Sequence, residues 1–222
     1  MRPLGSTEIL FIVEALRWTV ALSVAALLIG GVGGLVVATL RIAPRRWARL
    51  LAGGFIELFQ GTPLLLQLFV VYFGIGLFGI NIDAWSAAII ALSVHTAAFL
   101  GEIWRGAIQA VPDNQWQAAR ALALSWTKTL RLVVLPQALR MAVAPTVGFL
   151  VQLIKGTSVT ALIGFTEVTR AGQLVSNVTL QPFAVYAVVC CLYVALCWPL
   201  SFASQRLERR LMRGSPPRAL HT

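Results

Sequence analysis

Few side chains in this sequence can do chemistry, and those that can stand inside or at the edges of apolar runs. Lys155, followed by Gly156, Thr157 and Ser158, lies in the middle of one run. His95, beside Ser93 and Thr96, lies in another, and Gln67 follows Pro63 in a third. Glu57, Glu102 and Arg105 mark run edges. A charge at the centre of a bilayer costs about 2.5–3.5 kcal/mol on insertion scales, so each buried polar group is a candidate for function. Their types argue against catalysis. The only histidines are His95 and His221, the latter near the C-terminus, and no acid pair or nucleophile with an adjacent base is evident. What remains is coordination of a solute by hydroxyls, an amide, an imidazole and an ammonium. The stretch from Lys155 to Ser158 reads as a local helix break whose freed backbone and two hydroxyls could line a cavity. Lys155 could equally be neutralised by Glu102 or Glu57, or reach an interface along its stem. His95 and Gln67 could touch solute or bond a neighbouring helix. Glu102 and Arg105 read as an ion pair near the inner mouth, structural before gating.

The elements that must carry these groups are membrane helices. Of 222 residues, 58% are hydrophobic and 12% charged, with mean hydropathy +0.81. Soluble domains carry about 25% charge and no more than about half apolar residues. Charge-free or nearly charge-free runs cover 18–40, 58–82, 84–101, about 141–165, and a fifth within 171–205 that starts near Pro182. At about 1.5 Å per residue each can cross an apolar core of about 30 Å. Gly30, Gly31, Gly33 and Gly34 would weaken a soluble helix; in lipid they allow another helix to come close. An all-α integral membrane protein of about five spans is expected, one transmembrane domain over 1–210 with a disordered tail over 211–222.

The formal charge is +10, but the basic residues punctuate apolar runs and form no patch on a polar domain, so nucleic acid is excluded as a partner. Arg41, Arg45, Arg46 and Arg49 follow the first run; Arg105, Arg120, Lys128, Arg131 and Arg140 surround the third connection; Arg206, Arg209, Arg210 and Arg213 close the chain. Positive residues favour the cytoplasm, which places the N-terminus outside and the C-terminus inside. The first residues lack a basic stretch and a small-residue cleavage site, so no cleaved signal peptide is expected. Cys190, Cys191 and Cys197 share one apolar stretch without metal spacing and read as small buried hydrophobes.

The longest connection, 112–136, does not read as a loose linker. Pro112, Asp113 and Asn114 can start and cap a helix that is rich in alanine (Ala118, Ala119, Ala121, Ala123). Ser125 can cap a second short helix from Trp126 to about Val134, and Pro136 leads into the fourth run. Small side chains ringed by Arg120, Lys128 and Arg131 suit close docking of a partner; a helix lying on anionic lipid is the equal alternative from physics alone.

Gln117-Ala118-Ala119-Arg120-Ala121-Leu122-Ala123-Leu124-Ser125, with Leu130-Arg131 and Leu135-Pro136-Gln137-Ala138-Leu139-Arg140 after it, resembles the EAA loop of ABC importer permeases. The likeness is to the polar amino acid branch, of histidine, glutamine, glutamate and arginine type. Three more stretches match in order: Gln60-Gly61-Thr62-Pro63-Leu64-Leu65-Leu66-Gln67, Glu102-Ile103-Trp104-Arg105-Gly106-Ala107-Ile108, and Lys155-Gly156-Thr157-Ser158. The resemblance implies a type I importer permease fold in the bacterial inner membrane. It also implies a second permease subunit, two ABC ATPase subunits and an extracytoplasmic solute-binding protein as partners. Gln117, Ala118, Ala119, Arg120, Ala123 and Ser125 would then form the coupling helix seated on the ATPase. Gln67, His95, Phe149, Lys155, Thr157 and Ser158 would face the substrate path. No phosphate-cradling GxxxxGK[ST] loop is present, so ATP and Mg belong to the ATPase partner and no cofactor to this chain.

Several positions depart from the family pattern. Gln117 replaces the loop's namesake Glu and Ala123 its usual Gly, both changes keeping helix and size. Gln60 stands for an Arg, His95 for an Asn, Gly156 for an Asp, and Gly148-Phe149 for an Asn-Glu pair. With Phe149 in place of an acid and Lys155 retained, a cationic amino acid is not expected as the main substrate unless the second permease supplies a carboxylate. A stand-alone carrier or channel is the competing reading; it would need inverted repeats around midplane ion sites, and none is visible.

Overall fold

The computed structural model describes residues 4–212, and every regular element among them is helical. The order is α1 (Ser6–Ile42), α2 (Arg46–Gly61), α3 (Leu64–Phe69), α4 (Ala84–Gln109), α5 (Asp113–Ala121), α6 (Trp126–Thr129), α7 (Leu135–Gly156), α8 (Val168–Thr179) and α9 (Pro182–Met212). The tail expected to be disordered lies, beyond Met212, outside the described residues.

The centre of the bundle is the α1–α4 pair, and glycine is the reason it can form. A Cβ added to Gly30 would stand 2.5 Å from Thr96 Cβ and 2.6 Å from the Ser93 carbonyl oxygen. From the other side, a Cβ on Gly101 would meet Val37 Cγ1 at 2.6 Å. With no polar solvent to drive association, this close backbone approach supplies the dispersion contacts that hold the pair. The register runs Trp18 to Trp85, Gly30 to Thr96 and Gly34 to Leu100, so the two helices are parallel. α9 joins them in the same direction through Ile12 and Ala15 against Val185 and Val189. α7 runs the opposite way, with Trp104 on Thr146 from α4 and Ala144 on Ser204 from α9. The ends of α1, α4 and α9 that carry Arg41, Arg105 and Arg209 therefore share one side of the bundle with α5 and α6.

Three sequence expectations need correction. The run 58–82 is not one straight helix. α2 begins at Arg46, the chain breaks at Thr62 and Pro63, and α3 with the π turn Val70–Gly74 departs at 104°. Pro63 has no N–H to continue the ladder and drives Thr62 into extended backbone at φ −113°, ψ 141°. Four helical segments are thus long and apolar enough to cross a membrane, and a fifth if the bent pair counts as one. Gly156 does not break α7; the helix tightens into the 3-10 turn Thr157–Ile163 and stops at Gly164, whose φ is +85°. Finally, Cys190 and Cys191 are exposed on α9, and only Cys197 is buried.

Sequence reading gave no hint of α8 or of what seats it. Glu167 is fully buried at its N-cap, accepting from the Thr169 and Arg170 amides at 2.9 Å each and from the Tyr193 hydroxyl at 2.8 Å. The Val168 amide donates to Thr19 Oγ1 at 3.2 Å, which ties α8 to α1. Burial pushes the Glu167 carboxyl upward from its ordinary range, against the pull of these donors. Glu167→Ala removes the cap and strands those donors, so a loss of about 2–3 kcal/mol is expected. A lowered thermal midpoint of the detergent-purified chain measures it; an unchanged midpoint contradicts the role.

Candidate functional site

α7 carries an exposed stripe at alternating steps of four and three residues: Met141, Pro145, Gly148, Gln152 and Lys155. That spacing places all five on one helix face. Lys155 has no ion-pair partner among the described residues, and Gln152 is equally open. The hydroxyls that follow Lys155 turn back onto the backbone. Thr157, fully buried, and Ser158 each donate a hydroxyl to the carbonyl three residues back, Ile154 and Lys155, at 2.7 Å. Those bonds are what the 3-10 turn spends them on, so Thr157 does not line a cavity in this chain.

Gln67, His95 and Phe149 form one cluster inside the chain. Gln67 is buried, and its Nε2 donates to the Phe59 carbonyl at 2.7 Å and to the Thr62 carbonyl and hydroxyl at 3.0 Å each. It thereby satisfies the oxygens freed where α2 breaks before Pro63. Its Oε1 faces His95 Nδ1 at 3.1 Å, so that nitrogen is the donor and Nε2 is left as an acceptor. The His95 ring lies 4.5 Å from Phe99, and Phe99 stacks on Phe149 at 5.3 Å. Phe149 itself is 4% exposed. An imidazole and two phenyl rings stand together here, with no carboxylate among them.

A recess of about 530 Å³ opens between α2, α4 and α7, lined by Gln60, Glu102, Met141 and Pro145 among others. It continues the stripe toward the arginine-rich end. Arg105 holds Glu102 in a two-bond ion pair, its Nε 2.7 Å from Oε2, and Arg105 also bonds Gln109. Glu57 lies apart on the exposed face of α2 and takes no part in that pair, which is the only salt bridge among the described residues. Neither Glu57 nor Glu102 neutralises Lys155.

At the arginine-rich end, α5 and α6 make the compact knob that the alanine pattern anticipates. Ser125 takes the N-cap position of α6 as expected, Pro112 rather than Asp113 or Asn114 takes that of α5, and neither makes a side-chain capping bond. Gln117, Ala118, Arg120, Ala123 and Ser125 are exposed, whereas Ala119 is 2% exposed and packs inward. Leu122, which sequence reading passed over, is 75% exposed at the tip. Ala123 is not helical. It closes α5 with a left-handed turn at φ +52°, in which the Leu124 amide donates to the Ala119 carbonyl at 3.1 Å and the Ala123 amide to the Arg120 carbonyl at 2.9 Å. That turn favours glycine, because a Cβ crowds the following carbonyl. Ala123→Gly is therefore expected to stabilise the knob by about 1 kcal/mol, read as slower proteolysis between α5 and α6. Faster cleavage would contradict it.

The π turn Leu130–Val134 joins α6 to α7 without a break, so one continuous helical segment, Trp126–Ile163, runs from the knob past Lys155. A force on the knob is thus applied to the base of the helix that bears the stripe.

Comparison with known proteins agrees with this arrangement. The profile of the family described as "binding-protein-dependent transport system inner membrane component" matches residues 30–213. A probable glutamine ABC transporter permease protein of Bacillus subtilis (strain 168) is 34% identical over 196 residues, 88% of this chain and 91% of the relative. A probable amino-acid ABC transporter permease protein of the same strain is 31% identical over 200 residues, 90% of this chain and 88% of the relative. Among solved structures, the crystal structure of an amino acid ABC transporter with histidines is similar at TM-score 0.88 and 30% identity, over 94% of this chain and 100% of that one.

Proposed function

This chain belongs to the family of binding-protein-dependent transport system inner membrane components, and on that premise we propose that it is one half of the solute path of an ATP-driven amino acid importer. The observation that carries the reading is the α7 stripe. Gln152 and Lys155 are exposed on a helix of membrane length. Turned to lipid, a lysine inside a membrane helix costs up to about 2.5–3.5 kcal/mol, which favours a stripe that faces protein or water. A second permease subunit set against it supplies both, with solute passing between the two stripes.

The arginine-rich end faces the cytoplasm in this reading, which puts the N-terminus outside. Two ATPase subunits bind ATP and Mg there, and the knob formed by α5 and α6 seats on them. An extracytoplasmic binding protein delivers solute at the opposite end. Closure of the ATPase pair moves the knobs, and the unbroken segment from α6 to α7 carries that motion to the stripe. Such a shift requires only that ATP and solute bind the two conformations unequally. His95, through Gln67, and Phe149 shape the wall behind the path from inside the chain. The Glu102–Arg105 pair narrows its inner mouth.

The cargo is a neutral or acidic polar amino acid. Lys155 is an unpaired cation on the stripe, and the cluster at Phe149 offers no carboxylate to a second cation. Glutamine and arginine uptake into proteoliposomes, with the permease, ATPase and binding protein reconstituted and ATP inside, tests this. Glutamine uptake that requires ATP, with arginine at least tenfold slower, is expected; one such factor corresponds to about 1.4 kcal/mol. Preference for arginine by a permease homodimer would overturn the cargo assignment.

A further inference from the structure

A second face of α7, set apart from the stripe, closes an apolar groove of about 450 Å³ with α1 and α4. Small side chains make the space: Ala38, Ala138 and Ala142 are all buried in its lining. The one indole N–H among its lining side chains is spent, because Trp104 Nε1 donates to Thr146 Oγ1 at 3.0 Å. The Thr146 hydroxyl in turn donates to the Ala142 carbonyl at 2.7 Å. A groove of this chemistry offers water almost nothing and suits a hydrocarbon chain.

Ile42 and Ile108 line this groove and also a second recess of about 640 Å³ at the arginine-rich end. Arg41, Arg49 and Arg120 line that recess against a single acid, Asp113, and none of the three arginines has an ion-pair partner. Arg41 Nε is buried with no hydrogen-bond partner at all. Arg49 spends Nη1 on the Ala43 and Pro44 carbonyls, 3.1 Å each, which fixes its guanidinium but leaves the charge uncancelled. A hydrocarbon slot that opens into an anion-seeking mouth is the complement of one molecule type. Basic pockets between membrane helices take acidic headgroups for this reason.

We propose that this face holds one anionic phospholipid, an acyl chain in the groove and the phosphate on Arg41 and Arg49. Free phosphate would leave the groove empty, and a zwitterionic lipid would bring an ammonium group against an uncancelled positive recess. Arg120 also lines the recess but belongs to the knob. The lipid would bridge α1, α4 and the base of α7, the helix that the knob moves.

Native mass spectrometry of the detergent-purified permease tests the site with dioleoyl phosphatidylglycerol, dioleoyl phosphatidylcholine and inorganic phosphate. Phosphatidylglycerol should be retained about tenfold more tightly than phosphatidylcholine. Arg41→Gln should lower its retention to the phosphatidylcholine level, and phosphate should not displace it. Val143→Trp fills the groove from a side chain that is 41% exposed, so it tests the slot without disturbing the core. It should abolish retention of both lipids. Equal retention of the two lipids, full phosphatidylglycerol retention in both variants, or displacement by phosphate would each overturn the proposal.

Discussion

Ala118→Glu and Leu122→Glu will leave this chain folded and inserted but strip it of its ATPase. Both side chains are exposed on the knob, Leu122 at 75%, and so stand outside the packing that holds α5 against the π turn Leu130–Val134. If the knob seats in a groove of a partner, a carboxylate at either position is desolvated there without a counter-charge. Such burial costs about 2–5 kcal/mol, roughly thirtyfold to several thousandfold in affinity. Co-purification of the ATPase should fall accordingly, and ATP-dependent uptake with it, while the yield and thermal midpoint of the permease stay as they are. Retention of the ATPase in both variants would remove the coupling assignment. Ala119, a natural first choice on the sequence, is a poor probe, because at 2% exposure a glutamate there would break the knob itself.

Gly30→Val will cost the bundle its central contact. The nearest atoms to an added Cβ are Thr96 Cβ at 2.5 Å and the Ser93 carbonyl oxygen at 2.6 Å, and neither is the free end of a flexible side chain. α1 and α4 must therefore separate, and the loss extends along the whole parallel contact. Overpacking in a core costs about 1–3 kcal/mol for a modest insertion, and a rigid helix pair stands at the upper end. The folded fraction by size-exclusion chromatography should drop sharply. Gly31→Ala is the control, since the nearest atom to its Cβ is a Trp104 ring carbon at 4.0 Å. Equal yields for the two variants would refute the packing account.

Much of this was readable in advance, and the reasons are physical. Apolar runs report span count because lipid penalises charge at every position of a helix. Gly30 and Gly34 announced a close helix contact, although the sequence could not say that α4 was the partner. The knob was legible as two short helices around small residues. The bend after Gly61 was not, because hydropathy is blind to direction; Pro63 was the available signal, and it was read as part of a span. The alanine pattern implies a helical Ala123, whereas its left-handed φ makes sense of the glycine usual there. The role of Glu167 had no signal in the sequence, since Tyr193 on α9, which donates to it, and Thr19 on α1, which accepts the next amide, become its neighbours only on folding. The inward or outward facing of polar residues was likewise hidden: Lys155 and Thr157 are two apart in sequence, yet one is exposed and the other is buried.

Uptake by liposomes that hold the permease with or without its ATPase, under ATP or under an imposed ion gradient, bears most directly on whether an outside motor drives this chain through its knob. Solute should enter only when ATPase and ATP are both present, and the Leu122→Glu permease should stop it. Accumulation by the permease alone on a proton or sodium gradient would contradict the account.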